Sequence, residues 1–362
     1  MAIAGVPPTI QPRTPQNVFA NEPFTDFNDP ENARAMHRAL DEVAVHLGSD
    51  YPLIIGGKRL RTVERIRSIN PARPAQIVGV HQKAGAAQVD AAMSAALRAF
   101  DSWSRVPVED RASLLLNAAD VIRKRKFEFM AWLTYEVGKN WGEADADVGE
   151  TIDFLEFYAR EALRLAAVTT PIQYPGERNE LLYIPLGVGA VIPPWNFPFA
   201  IMAGMTAASI VTGNTVILKP SSDAPTIAAR FVEVLEEAGM PDGVVNFCPG
   251  SGATFGNAIV EHPKPVSSPS PARGRSASKF TCAPRNRGPA RSGSSGQFWK
   301  WAARIPSSSP KTPTSTRLSK AWSLRPSGSA ARNARPVPGP SLKRRFTTFS
   351  SSACASEWPR SP

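Results

Sequence analysis

Apolar and polar positions along this chain follow two rhythms, helical first and then strand–helix alternation, and after that no rhythm at all. Up to about Asn28 the sequence is Pro-rich and irregular, which reads as an arm or extension. Over residues 29–48 apolar positions recur at helical spacing, with Met36, Leu40, Val43 and Leu47 on one face. Asp29 can cap that helix, and Pro30 suits its first position. Residues 51–61 read as a strand, a Gly56-Gly57 turn and a second strand, a hairpin. Residues 77–81 read as a further short strand. Helical patterns follow over residues 89–103, 109–127 and about 145–165. In the last of these, Ile152, Leu155, Phe157, Tyr158 and Leu163 lie among acids and arginines, as an amphipathic helix requires.

From Leu181 onward short apolar strands alternate with helices. Residues 187–192, 215–218 and 244–247 read as strands, and residues 199–212, 225–238 and 254–261 as the helices between and after them. Strand–helix alternation at these spacings predicts an α/β fold with a parallel sheet covered on both faces, the Rossmann-like, nucleotide-binding type of architecture. Ligands in such sheets bind outside the carboxyl ends of the strands. The predicted organisation is an N-terminal arm and helix over residues 1–50, an incomplete cofactor-binding domain over residues 51–264, and a tail over residues 265–362.

The tail changes the meaning of the composition. The chain has 362 residues, room for about two domains, and a net charge of +11. Residues 265–362 carry 18 Lys and Arg against the single acid Glu357, or +17, whereas residues 1–264 carry 24 basic and 30 acidic residues, or −6. The high pI therefore belongs to the tail and says nothing about partners of the front part. The tail also holds 22 Ser and 14 Pro in 98 residues, with no Asp, Tyr or Met, a composition expected to stay disordered. Cys248, Cys282 and Cys354 show no paired spacing, which argues against a disulfide framework or a metal site. The chain has neither a signal-peptide start nor an apolar run of membrane-spanning length, so a cytoplasmic protein without membrane contact is expected.

Four segments carry candidate chemistry. Pro193-Pro194-Trp195-Asn196-Phe197-Pro198-Phe199 follows a strand. Its prolines stiffen the turn and the Asn196 amide can donate to a developing oxyanion, although packed aromatics in a structural turn fit the same residues. Gly213-Asn214-Thr215-Val216-Ile217-Leu218-Lys219-Pro220-Ser221 places Lys219 at the end of a buried strand, where it can bind ribose hydroxyls or phosphate, or be merely solvated. Gly250-Ser251-Gly252-Ala253-Thr254-Phe255-Gly256 opens a helix with glycines that allow close backbone approach, as a plain helix cap also would. Residues 136–147, from Glu136 through Lys139 to Asp147, contain an acidic helix start that suits the helix dipole.

Taken together and in this order, these segments resemble the aldehyde dehydrogenase superfamily, over roughly residues 20–264. Asn21-Glu22-Pro23-Phe24-Thr25-Asp26, the acidic stretch from Glu143 to Asp147 and Lys219-Pro220-Ser221-Ser222-Asp223 look most like its 1-pyrroline-5-carboxylate dehydrogenase branch. The resemblance implies NAD(P)-dependent oxidation of L-glutamate 5-semialdehyde to L-glutamate, in proline degradation, by an enzyme that is a homo-oligomer in its intact form. It implies that Asn196 is the oxyanion amide, that Lys219 binds the adenosine ribose, and that Pro194, Trp195, Ser221, Ser222, Gly252 and Gly256 line the cofactor. It also implies that Phe197 walls the aldehyde channel. Many relatives carry Glu where Ser222 stands, and its loss would relax discrimination against NADP.

The family pattern stops near Lys264. The nucleophilic Cys in a Gly-Gln-x-Cys segment and the general-base Glu that this chemistry needs are missing. Degenerate back-translation, with the third base of each codon joined to the first two of the next, recovers them. Residues 265–279 then read G-F-I-A-F-T-G-S-R-E-V-G-L-K, residues 297–309 read V-L-E-M-G-G-K-D-S-I-I-V, and residues 328–341 read F-R-G-Q-K-C-S-A-G-S-R-A-I. Three family motifs in order, in one shifted frame, identify a single-base insertion or deletion near Lys264. The chain as written is expected to be catalytically inactive. Two rival readings are an aldehyde dehydrogenase of another substrate and a nucleic-acid-binding protein that uses the basic tail.

Overall fold

The computed structural model describes residues 18–167, 171–173, 175–177 and 179–264. Its first helix starts where the local chemistry asks. The Asp29 carboxylate accepts from Glu31 N, and Pro30 opens α1 (Pro30–Ala44) at a position whose N–H has no helical partner. Met36, Ala39 and Val43 are buried on one stripe. The helix ends at Ala44, four residues short of the expected Gly48, which has a φ of 79°.

The hairpin expected over residues 51–61 is narrower than predicted. Tyr51 belongs to β1 (Ser49–Tyr51), and the antiparallel pair is β2 (Leu53–Ile55) and β3 (Lys58–Leu60). Gly56 and Gly57 join them with φ of 58° and 74°, the two left-handed conformations of a tight hairpin turn. The strand read at residues 77–81 extends to β5 (Arg73–Gln82), because β4 (Arg65–Asn70) gives it an antiparallel ladder. With β1 these form a three-stranded sheet in the order β1-β5-β4.

Four helices follow: α2 (Ala86–Trp103), α3 (Val108–Lys124), α4 (Lys126–Val137) and α5 (Trp141–Ala166). The single helix read over residues 109–127 is thus the first of two, separated at Arg125. α4 escaped the periodicity because Phe129, Met130, Ala131, Trp132 and Leu133 are all fully buried, and a helix enclosed on every side shows no apolar stripe.

The predicted strand–helix alternation is present. β6 (Val188–Val191), α6 (Ala200–Val211), β7 (Thr215–Leu218), α7 (Pro225–Glu237) and β8 (Val245–Phe247) follow in sequence, with β6, β7 and β8 parallel. The sheet is not purely parallel, because β2 joins β8 antiparallel and the order is β3-β2-β8-β7-β6. Successive side chains enter different cores, as the period of a strand dictates. Ile217 packs in a cluster with Val89, Ala92, Met93 and Ala96 of α2, while Val216 and Leu218 join the larger cluster containing residues of α3 to α7. Helices therefore cover both faces, and each fully buried Phe or Leu contributes about 1.5–3 kcal/mol relative to exposure. The helix read over residues 254–261 is a π-helical turn, Gly252–Gly256, followed by the short α8 (Asn257–Val260). The tail of residues 265–362, and the expectation of disorder placed on it, lie outside the described residues.

Candidate functional site

Three loops leave the carboxyl edge of the parallel strands side by side. Register pairs Val191 with Leu218 and Leu218 with Phe247, and the ladder runs one step further, with Lys219 N donating to Val191 O (2.9 Å) and Cys248 N to Leu218 O (2.9 Å). The Pro193–Phe199 turn, the Lys219–Asp223 turn and the Gly250–Gly256 turn thus begin level with one another at the end where such sheets bind ligands. The buried Asn214 secures the approach, because its Oδ1 accepts from Leu186 N (2.6 Å) and Gly187 N (3.0 Å) at the entry to β6.

In the first turn Phe199 is fully buried between Phe129 and Phe231, with ring centroids at 5.1 and 5.9 Å. That anchor presents Trp195, 59% exposed, and the exposed Asn196 at the surface, while Pro194 and Phe197 are half-buried. The Phe197 ring lies 3.9 Å from Lys139 Nζ, a cation–π contact.

Lys219 is only 6% exposed, and its Nζ donates to Pro220 O (2.9 Å). Burial pushes its pKa below the usual lysine value, with nearby Asp223 opposing the change. An ammonium has three N–H donors, and one carbonyl among the described residues leaves it under-bonded. Ser221 is half-buried and its hydroxyl accepts from Asp223 N (3.3 Å), while Ser222 is exposed. In the third turn Ser251 caps the chain by accepting from Thr254 N (3.0 Å). A Cβ added at Gly252 or Gly256 would meet nothing within 4 Å, so both positions lie open. The crowded glycine is Gly250, where a Cβ would lie 2.9 Å from Ala84 O and from the Phe255 Cβ.

The acidic segment does more than complement a helix dipole. Only Glu143 stands in the first turn of α5. Asp145 is buried and accepts from Thr25 N (2.8 Å), Thr25 Oγ1 (2.6 Å) and Lys126 Nζ (2.8 Å), which fastens the arm to the body. Asn21 Nδ2 and Glu22 N add bonds to Asp153, both 2.7 Å. Asp147 is completely buried and accepts from Lys139 Nζ and from Ala200 N, each at 2.8 Å. Glu136, Lys139 and Asp147 were visible as a motif, but their contacts were not, because acids near a helix start also satisfy the simpler electrostatic rule.

Cys248 is fully buried beside β8, and burial pushes its thiol pKa up, so it is no nucleophile. Cys282 and Cys354 lie outside the described residues. Among the described residues no cluster of three or more His, Cys, Asp or Glu can hold a metal, and no helix is long and apolar enough to cross a membrane. A cavity of about 670 Å³ involves Arg111, Leu165, Leu182 and Tyr183 and none of the predicted site residues.

Comparison with known proteins places the chain. The family model described as "Aldehyde dehydrogenase family" matches residues 59–266. A 1-pyrroline-5-carboxylate dehydrogenase of Geobacillus thermodenitrificans is 53% identical over 246 residues, 68% of this chain and 48% of that one. Among solved structures, a point mutant of the Thermus thermophilus 1-pyrroline-5-carboxylate dehydrogenase aligns with a TM-score of 0.68 and 50% identity, covering 70% of this chain and 49% of that one. The Thermus enzyme of that name with bound NAD aligns at 0.67 and 51%, covering 68% and 48%. The chain spans about half the length of the relatives it matches.

Proposed function

The chain belongs to the aldehyde dehydrogenase family, and from that premise we propose that it is the cofactor-holding front part of a cytoplasmic enzyme oxidising L-glutamate 5-semialdehyde to L-glutamate with NAD, itself unable to complete the reaction. The observation that carries this reading is the level row of three loops at the carboxyl edge, with the under-bonded Lys219 ammonium at its middle. Residues 51–264 form the incomplete cofactor-binding domain, and residues 265–362 are out-of-frame text.

The residues present fit the cofactor. Lys219 has N–H donors to spare for ribose hydroxyls, Ser221 and Ser222 add hydroxyls on the same turn, and Pro194 and Trp195 offer flat apolar surface. The open space at Gly252 and Gly256 admits a bulky anionic group next to the Ser251-capped turn. NAD supplies the hydride acceptor when bound. In the full reaction a thiolate adds to the aldehyde carbon, and the C–O π electrons move to oxygen. The Asn196 amide N–H donates to that oxyanion from a loop immobilised by Phe199, so the donor needs no reorganisation as charge develops. Phe197 walls the aldehyde's approach. The hydride released as the oxyanion re-forms its C=O bond would pass to bound NAD, and the resulting thioester would be cleaved by water with a carboxylate as base. This chain has Asn196 but neither thiolate nor base, so it stops before the first bond is made.

The test is purified chain titrated with NAD in a calorimeter, then supplied with pyrroline-5-carboxylate and followed at 340 nm. Saturable NAD binding without NADH formation is expected, and the frame-restored protein should form NADH. Steady NADH production by this chain would refute the inactivity, and absence of NAD binding would refute the cofactor site.

A further inference from the structure

Neither helix that follows the first two site loops carries a cap of its own. The residues preceding α6 and α7 are Phe199 and Ala224, and neither makes a side-chain cap hydrogen bond. An α-helix leaves its first N–H groups without internal partners, and both helices begin in the interior.

One distant stretch of chain supplies what is missing. Glu136, in the last turn of α4, accepts from Thr226 N (2.6 Å) and Ser68 Oγ (2.7 Å) through Oε1, and from Ile227 N (2.7 Å) through Oε2. Thr226 and Ile227 lie in the first turn of α7, directly after the Lys219–Asp223 turn. Three residues beyond Glu136, past Gly138 in a left-handed conformation, Lys139 bonds Asp147 and covers the Phe197 ring. Asp147 Oδ1 accepts from Ala200 N (2.8 Å), the first residue of α6, directly after the Pro193–Phe199 turn.

We propose that Glu136 and the Lys139–Asp147 pair are positioning residues that cap α7 and α6 from outside and so fix the Lys219 turn and the Asn196 turn relative to each other. Buried charges are poor sources of stability, since apolar replacements of similar shape often do as well. Glu136 and Asp147 are 2% and 0% exposed, and what apolar residues in their places cannot supply is acceptors for the N–H groups of α7 and α6 from either side of the short link between α4 and α5. Burial holds both carboxylates above their usual pKa, while the backbone donors and Lys139 work against that rise.

The consequence for ligand binding rests on the cofactor reading of the Lys219 turn, whereas the capping does not. The experiment uses the full chain and reads both. Glu136→Gln turns an amide N–H₂ toward a backbone donor. It should raise amide hydrogen exchange at Thr226 and Ile227 by about ten-fold, the factor that corresponds to losing one helix cap, and weaken NAD binding by a similar factor, with α3 amides unchanged. Lys139→Gln should alter iodide quenching of Trp195, and Lys139→Arg should restore it. Wild-type exchange at Glu136→Gln, or loss of protection spread evenly over all helices, would overturn the proposal. If Glu136→Gln does not fold, the wild-type chain decides: Thr226 and Ile227 must exchange as slowly as the middle of α7, and fast exchange there overturns it. A chain that binds no NAD while these exchange results hold sinks the cofactor reading and leaves the capping in place.

Discussion

Lowering the pH should destabilise this fold through one histidine. His81 on β5 is fully buried, stacked on Tyr51 with centroids 4.8 Å apart and planes 8° apart. Its Nε2 lies 2.9 Å from Thr226 Oγ1, and its Nδ1 has no hydrogen-bond partner among the described residues. Whichever of the two donates in that contact, it is the ring's one hydrogen bond among the described residues, and Nδ1 is left bare. Burial pushes the His81 pKa from 6.5 down to about 3, with Asp50 opposing weakly. In the unfolded chain the imidazole takes up a proton near pH 6.5, and in the fold it does not until about pH 3. The unfolded state thus binds more protons between those values, and stability rises with pH across the window. The contribution is fully present above pH 6.5 and is lost as the pH falls. The slope is about 1.4 kcal/mol per pH unit, hence roughly 2 kcal/mol between pH 6.5 and pH 5. Glu136, Asp147, Glu150 and Asp153, whose pKa values are raised chiefly by burial, act in the opposite direction, so the histidine must be isolated by difference. Urea unfolding followed by tryptophan fluorescence, for the wild-type chain and His81→Gln, gives that difference. The variant should lose about 2 kcal/mol less than the wild type on acidification from pH 6.5 to pH 5. Parallel pH curves, or an imidazole resonance of His81 titrating near 6.5, would show that the ring is not held neutral by burial.

Further outcomes can be checked with the same protein. Gly57→Ala drives a Cβ into the Asp242 carboxyl at a φ of 74° and should cost about 1–3 kcal/mol in urea unfolding. Phe199→Ala empties the space between Phe129 and Phe231 and should cost about 3–5 kcal/mol, seen as a lower urea midpoint. Asp145→Ala leaves the half-buried Lys126 without its ion pair and unties Thr25, so limited proteolysis should cut residues 18–28 at least about ten-fold faster, a loss of over 1.4 kcal/mol in holding the arm. With Cys282 and Cys354 replaced by Ser, Cys248 should resist a thiol reagent in the fold and react fully in urea, because only unfolding exposes it.

What the sequence disclosed follows from how each element is buried. β6, β7 and β8 were legible because their apolar runs end abruptly at Pro193, Lys219 and Pro249, and α1 because Asp29 and Pro30 announce its start. α4 stayed hidden because burial on all sides erases the 3.6-residue period, and β4 because its buried positions Ser68 and Asn70 are polar and break the apolar alternation. At the site, the placement of Lys219 at the end of a buried strand was readable, but its poverty of partners was not. The glycine rule marked the whole Gly250–Gly256 turn, but only the neighbouring chain at Ala84 reveals why position 250 tolerates no side chain. Glu136 and Asp147 were recognisable as acids, but their partners lie 90 and 53 residues away, beyond any local pattern.

Those separations bear on how the chain is made. On a ribosome the carboxylates of Glu136 and Asp147 emerge well before Thr226 and Ala200, so the receiving side of each contact is synthesised first and waits for its donor. Contacts closed over such distances come late and slow the search for the native state. An incomplete nascent chain ending inside β6 would therefore already hold two carboxylates whose backbone donors do not yet exist, a vulnerable point for capture by chaperones or proteases.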